Sequence, residues 1–377
     1  EQNPPRLRRH VDLHAALGEP CGEHVVRRAG NLANYADFDE SSVRTRPNRH
    51  GSRPRTKERP NYKDAITARV VAVDRGRWRT IAEENSENEH AVTAMRARAL
   101  GRTPIVPGDL VRLTGDTSGR TDTIARIVEV EERTSFLRRS ADDDDASERP
   151  LVANADTLVI VTALANPEPR GGMIDRCLVA AYVAGITPLL CLTKADLADP
   201  SDFLEKYAPL GIEHLTTYRG SDGTIAGIEA LRERLSRHLS VLVGHSGVGK
   251  STLINALVPG ADRATGHVNA VTGRGRHTSS SALALRLPES NGWVIDTPGV
   301  RSFGLGHVSP EELESAFDDL AILMEECPRG CTHASTEVNC ALDSLVADGH
   351  AGSAGPARLA SFRRLNDTLR TNDPWAM

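Results

Sequence analysis

Gly244-His245-Ser246-Gly247-Val248-Gly249-Lys250-Ser251-Thr252 fits the phosphate-binding pattern G-x-x-x-x-G-K-[ST]. The apolar run Leu239-Ser240-Val241-Leu242-Val243 reads as the strand that feeds it, and Lys250 to Leu257 as the helix that follows. That strand–loop–helix setting is what such a loop requires. Glycines at 244, 247 and 249 let the backbone wrap a β-phosphate, while successive N–H groups and the helix N-terminus point at the anion. Lys250 is expected to bridge the β- and γ-phosphates, and Ser251 to place its hydroxyl on Mg²⁺. His245, Ser246, Val248 and Thr252 complete the run expected to line the nucleotide.

Upstream of this loop lies Thr193-Lys194-Ala195-Asp196, which reads as a guanine-specificity element. The carboxylate of Asp196 suits the N1–H and 2-amino donors of guanine, and adenine would leave it unpaired. Lys194 would lay its aliphatic stem along the purine. Thr193 stands where N-K-x-D has asparagine, so one polar contact near the base is expected to be weakened or rearranged. In an ordinary GTPase the phosphate loop comes first and the base-reading motif last. The inverted order here points to a circularly permuted nucleotide domain.

Downstream, Asp296-Thr297-Pro298-Gly299 follows the strand Trp293-Val294-Ile295 and matches D-x-x-G. Asp296 is expected to hold Mg²⁺ through a second shell, and the Gly299 amide to sense the γ-phosphate. Between the two motifs, Asn269 to Ser281 is polar and glycine-bearing, as a switch loop should be. Thr278 is its best candidate Mg²⁺ ligand in the triphosphate state, with Ser279 or Ser280 as the competing choices. Val300 occupies the position where many GTPases carry a water-orienting glutamine, so His277 becomes the candidate to position the nucleophile. With Lys250 and Thr278 it makes up the expected catalytic set.

Three of the six cysteines crowd together, Cys327, Cys331 and Cys340, with His333 among them. Three thiolates and an imidazole suit a closed, structural tetrahedral Zn²⁺ site. The alternative, free cysteines in a core, fits poorly with Arg329, Thr332 and Glu337 in the same stretch.

The 377 residues are enough for two or three domains, and 39% hydrophobic content suits soluble folding. Apolar runs such as Leu158-Val159-Ile160-Val161 are far shorter than the roughly 20 residues that span a bilayer, so no membrane partner is expected. With no signal segment in view, a cytoplasmic location is expected. The net charge of −5 hides a basic stretch, Ser41 to Pro60, which reads either as a solvated tail with no partner or as an arm that contacts RNA phosphates. Residues 1–61 are therefore expected as a basic, disordered extension. Short strands over 62–136 suggest an OB-like β-barrel, and 137–150 a polar linker whose run Asp142-Asp143-Asp144-Asp145 is assigned no function. Buried strands alternating with amphipathic helices over 151–306 predict an α/β domain, a permuted P-loop GTPase. One of its helices is expected to carry Ile225, Ile228, Leu231 and Leu235 on a single apolar face. Residues 307–377 are expected as a small, mostly helical zinc-binding domain.

The layout over 62–345 resembles the RsgA family of circularly permuted GTPases: T-K-A-D before G-H-S-G-V-G-K-S-T, then R-H-T-S-S-S, D-T-P-G-V-R-S-F-G-L and the C-x-x-x-C-x-H-x-x-x-x-x-x-C cluster. Its first two cysteines stand one residue closer than the family's usual spacing, and the long N-terminal extension departs from the common pattern. The resemblance implies a GTP hydrolase that acts late in maturation of the small (30S) ribosomal subunit, contacts its rRNA, and leaves after subunit-stimulated hydrolysis; GTP and GDP are its expected nucleotides and a monomer its expected state. The competing readings are a large-subunit assembly factor and an RNA-binding scaffold that uses GTP as a structural ligand.

Replacing Asp196 with Asn puts a donor opposite the guanine N1–H, so preference should move toward xanthosine triphosphate. Competition binding of GTP against XTP reads this directly, and unchanged discrimination would remove Asp196 from the base site.

Overall fold

A computed structural model describes residues 62–140, 148–261, 282–297, 305 and 308–370, all within one compact unit. The basic stretch 41–60, the tetrad 142–145, His277, Thr278 and Gly299 lie outside the described residues.

Alternation of apolar and polar residues folds the segment after Tyr62 into five strands: β1 (Ile66–Asp74), β2 (Arg77–Ala82), β3 (His90–Arg96), β4 (Leu110–Gly115) and β5 (Ala125–Val130). They pair in the order β1-β2-β3-β5-β4, and β4 returns to β1, which closes a barrel. Only the β3–β5 pair within it is parallel. Ala68, Ala82, Ala94 and Ala125 line the interior and leave room for Trp78, whose indole N–H donates to the Ile105 carbonyl at 3.1 Å. Asp109 is wholly buried and fully engaged, by Arg133 Nε at 2.7 Å, Arg133 Nη2 at 2.9 Å and the Val106 amide at 2.8 Å. A buried carboxylate is tolerable only when paired in this way.

The stretch expected as a polar linker instead contains paired strands in its described parts. β6 (Phe136–Ser140) runs antiparallel to β7 (Glu148–Ala153). The reason is apolar: Leu137, Leu151 and Val152 are buried, while Arg133 and Arg138 lie over the Phe136 ring.

The nucleotide domain is built from β8 (Thr157–Ala163), α1 (Gly171–Val183), β9 (Thr187–Thr193), α2 (Ser201–Tyr207), β10 (Glu213–Thr216), a small hairpin of β11 (Tyr218–Arg219) and β12 (Ile225–Ala226), α3 (Ile228–Leu235), β13 (Leu239–Val243), α4 (Lys250–Leu257), β14 (Leu283–Arg286) and β15 (Trp293–Asp296). Its strands lie in the order β10-β9-β8-β13-β15-β14, parallel except for β14. Every residue of β8 and β13 is buried, as expected of central strands covered on both faces. Leu158 and Ile160 face α1, whereas Val159 and Val161 face α3 and α4. Ile225 is not on the expected helix. Gly227 has a φ of +80°, and a Cβ there would lie 2.3 Å from the Thr216 carbonyl oxygen, so the chain turns before α3 begins.

Strand β14 also pairs with β1 (Ala72 opposite Leu283), which makes one eleven-stranded sheet of barrel and nucleotide domain. Arg286 reinforces the joint through both oxygens of Glu89 at 2.7 and 2.6 Å and Asn85 Oδ1 at 2.6 Å. The C-terminal segment is helical: α5 (Pro310–Glu314), α6 (Asp318–Met324), α7 (Ala341–Ala347) and α8 (Gly355–Arg370). A Ser309–Glu312 capping box starts α5. Phe317 packs edge-on against both Tyr182 of α1 and Phe362 of α8, so these helices share the core under α1. Among the described residues no helix is long and apolar enough to cross a membrane.

Candidate nucleotide and metal sites

The phosphate loop leaves β13 at Gly244, where a Cβ would meet the Val161 carbonyl oxygen at 2.5 Å and Val248 Cγ2 at 3.0 Å. Gly247 and Gly249 take φ values of +83° and +95°, a region that costs other residues strain. Gly249 is the N-cap of α4 and no side chain caps that helix, so its first amides are available to an anion. Lys250 Nζ donates to Asp296 Oδ1 at 2.8 Å and to the Thr297 carbonyl at 2.9 Å. The Thr297 hydroxyl in turn donates to the Leu242 carbonyl at 2.7 Å, which ties the end of β15 to β13. The fold thus joins the lysine of one motif to the aspartate of another 46 residues away. Ser251 and Thr252 stand exposed on the first turn of α4.

The base-reading element comes to the same edge at the end of β9. Thr193 is buried, and its hydroxyl donates to the Val248 carbonyl inside the phosphate loop at 2.5 Å. Threonine therefore binds the two nucleotide elements to each other. Lys194 has a φ of +55° and its ammonium donates to the Asn166 carbonyl. Pro167, joined to Asn166 by a cis peptide bond, has its Cδ 3.8 Å from where a Gly247 Cβ would stand. The Ala195 amide donates to the Thr217 carbonyl at 3.2 Å, and Asp196 lies exposed beyond it, with Leu197 and Tyr218 also exposed. Sequence reasoning missed Asn166-Pro167 and Thr217-Tyr218. The Asn-Pro dipeptide after an apolar strand was a legible turn signal, whereas nothing local marks Thr217.

Cys327, Cys331, His333 and Cys340 converge, their ligand atoms all within 4.8 Å of one another. Cys327 and Cys340 sulfurs are 4.0 Å apart, and Cys340 Sγ is 3.7 Å from His333 Nδ1. Tetrahedral coordination at ordinary Zn–S and Zn–N lengths has edges of about 3.5–3.8 Å, so the donor set fits a four-coordinate metal. His333 Nε2 lies 3.8 Å from Glu314 Oε1, a carboxylate placed to orient the imidazole. The Ala341 and Leu342 amides at the start of α7 hold the Cys327 sulfur, and Arg363 reaches that of Cys340. Burial pushes the Cys331 thiol up to about 11 and lowers the basicity of His333. A metal must therefore displace thiol protons to bind, so its affinity falls as pH falls.

The RsgA GTPase family model matches residues 130–306, a span that holds Thr193–Asp196, the phosphate loop and Asp296–Gly299. The small ribosomal subunit biogenesis GTPase RsgA of Pseudomonas syringae pv. tomato is 38% identical over 296 residues, which cover 76% of this chain and 81% of that protein. The chain belongs to the RsgA GTPase family. The RsgA of Pseudomonas aeruginosa LESB58 is 42% identical over 234 residues, and the match spans 60% of this chain and 66% of that relative's length. Among solved structures, YjeQ from Thermotoga maritima superposes with a TM-score of 0.58 at 25% identity, covering 81% of this chain and 98% of that one. YloQ, described as a circularly permuted GTPase, shares the fold at a TM-score of 0.58 and 22% identity, with 85% and 99% coverage. In this RsgA-family chain the spatial order of the strands explains the permutation. β13 sits at the centre of the sheet although β8, β9 and β10 precede it in the chain.

Replacing Thr193 with Val keeps the volume and removes the donor, leaving the Val248 carbonyl buried without it at a cost of about 1–3 kcal/mol. Affinity for a fluorescent guanine nucleotide should fall about tenfold, equivalent to ~1.4 kcal/mol. Unchanged affinity would mean that the hydroxyl does not hold the loop.

Proposed function

We propose that this chain is a GTP hydrolase that acts in maturation of the small ribosomal subunit. The observation that carries the reading is the convergence of Lys250, Asp296 and the Thr193–Asp196 element at the carboxyl edge of one parallel sheet. The relatives' name, small ribosomal subunit biogenesis GTPase, supplies the partner class. Residues 244–252 line the phosphates, Asp196 reads guanine through its exposed carboxylate, and Lys194 lies along the base. On nucleotide binding Lys250 exchanges the Asp296 carboxylate for phosphate oxygens, which leaves Asp296 free to act toward the metal's water shell. Ser251 and Thr278 would hold Mg²⁺, which would supply charge neutralisation to the phosphates. The Gly299 amide senses the γ-phosphate, and His277 positions the attacking water.

The remaining parts support an RNA partner. The five-stranded barrel is read as an OB-type module and, with the metal-bearing helices, as the rRNA-contacting surface. The basic extension 1–61 adds salt-dependent contact with phosphates. Cys327, Cys331, His333 and Cys340 hold one structural Zn²⁺. A monomer, cytoplasmic and away from membranes, completes the proposal. The domains are proposed as the basic extension 1–61, the barrel 62–136, the nucleotide domain 151–306 and the metal-binding segment 307–377, with strand β7 running from the expected linker 137–150 into the nucleotide domain.

Single-turnover hydrolysis with and without isolated small subunits tests the function. The subunit should accelerate hydrolysis, and His277→Ala should lower the stimulated rate by on the order of 10²-fold while GTP still binds. Equal rates with and without subunits would refute the reading. Metal analysis of Cys331→Ser should show lost zinc and a loosened C-terminal segment; full zinc content would assign the ligation elsewhere.

A further inference from the structure

The nucleotide domain buries one carboxylate that none of the roles above employs. Asp175 lies on α1 with its side chain only 4% exposed, and Arg364 of α8 places Nε 3.2 Å from both of its oxygens. The Arg364 guanidinium also lies 5.3 Å over the Tyr207 ring, and Lys206 Nζ lies 5.5 Å over the same ring. Burial raises the Asp175 carboxyl above the usual range, and the Arg364 and Lys206 charges oppose that shift. Arg364 Nη2 is buried without a hydrogen-bond partner, while the Tyr207 hydroxyl lies against the Asp175 carboxylate. Such an incompletely satisfied buried pair is a poor adhesive compared with apolar side chains of similar volume. The surroundings already supply those: Ile174, Leu178, Phe362 and Leu365 are wholly buried in one cluster. Docking of the helices therefore does not account for the pair.

Its two ends do. Helix α1 begins at Gly171, directly after the loop whose Asn166 carbonyl holds Lys194 and whose Pro167 faces Gly247. Helix α8 grips the metal loop through Asn366 Nδ2 and Arg370 Nη2, which donate to the Thr332 carbonyl at 3.0 and 2.9 Å, next to His333. We propose that Asp175 and Arg364 are positioning residues that couple the guanine-nucleotide loop to the metal knuckle. Bound nucleotide fixes the loop at 166–170 and the first turn of α1, Asp175 carries that order to Arg364, and α8 passes it to Thr332 and His333. The coupling rests on the nucleotide and metal assignments proposed above, and it is reciprocal: the metal must favour nucleotide binding by the same factor.

The test measures the zinc affinity of the protein by equilibrium competition with a coloured chelator, with and without saturating GDP. A fluorescent GDP analogue reports binding, and circular dichroism reports folding. GDP should tighten zinc binding by about tenfold in the parent, within the usual 5–150-fold range of coupling. The variant Asp175→Asn/Arg364→Gln removes both charges, so neither is left buried and uncompensated. Its ratio of affinities should fall to within about twofold, while Arg364→Lys keeps the cation and should retain part of the effect. A merely structural defect would weaken both affinities alike and leave the ratio intact. A double variant with the parental ratio, or a parent that binds the analogue yet shows no GDP effect, would overturn the proposal. A parent that binds no analogue or carries no zinc would overturn the proposed function itself, and the coupling with it.

Discussion

All the nucleotide-binding elements depend on one constraint, the burial of β13 between β8 and β15 in a parallel sheet. Parallel pairing aligns carboxyl ends, so the loops that leave β8, β9, β13 and β15 emerge at one edge whatever their order in the chain. Permutation is therefore compatible with the site: moving the chain ends changes which loops are covalently continuous, and leaves the hydrogen-bonded neighbours as they were. The Thr193 hydroxyl on the Val248 carbonyl and the Thr297 hydroxyl on the Leu242 carbonyl lock that edge crosswise, in places where backbone pairing ends.

Three buried or half-buried ion pairs among the described residues mark junctions. Asp109 with Arg133 closes the barrel against the segment leading to β6. Glu89 with Arg286 joins the barrel to β14, and Asp175 with Arg364 joins α1 to α8. Apolar contact supplies the adhesion in the same places, as at the joint where Phe317 meets Tyr182 and Phe362. The ion pairs add direction, most of all Arg133 with Asp109, whose bidentate guanidinium contact accepts few geometries.

The C-terminal segment needs more than its own core. Its helices α5, α6 and α7 are of five to seven residues each, too short to be stable alone. They are held from one side by packing against α1 and from the other by the convergence of Cys327, Cys331, His333 and Cys340. Cross-linking by a metal suits a segment with so little apolar volume.

The motifs and the element types were legible in the sequence because each depends on neighbours within a few residues. The glycines at 247 and 249 are demanded by positive φ, and the β-branched, apolar runs of β1 and β5 mark them as strands. Strands β2 and β3 were harder to see, since arginine, threonine and histidine occupy alternate positions on them. The β6–β7 hairpin was obscured by the acidic run that separates its strands in sequence, and Ile225 by a helical spacing that Gly227 interrupts. By itself, then, the sequence determined the chemistry available: a phosphate-loop motif, a guanine-specificity motif and four side chains that could hold a metal. Tertiary structure alone decided which distant groups meet, pairing Lys250 with Asp296, Thr193 with Val248 and Asp175 with Arg364. The physical reason is that such contacts span 46 to 189 residues and are created by sheet order and helix packing, which no local pattern encodes.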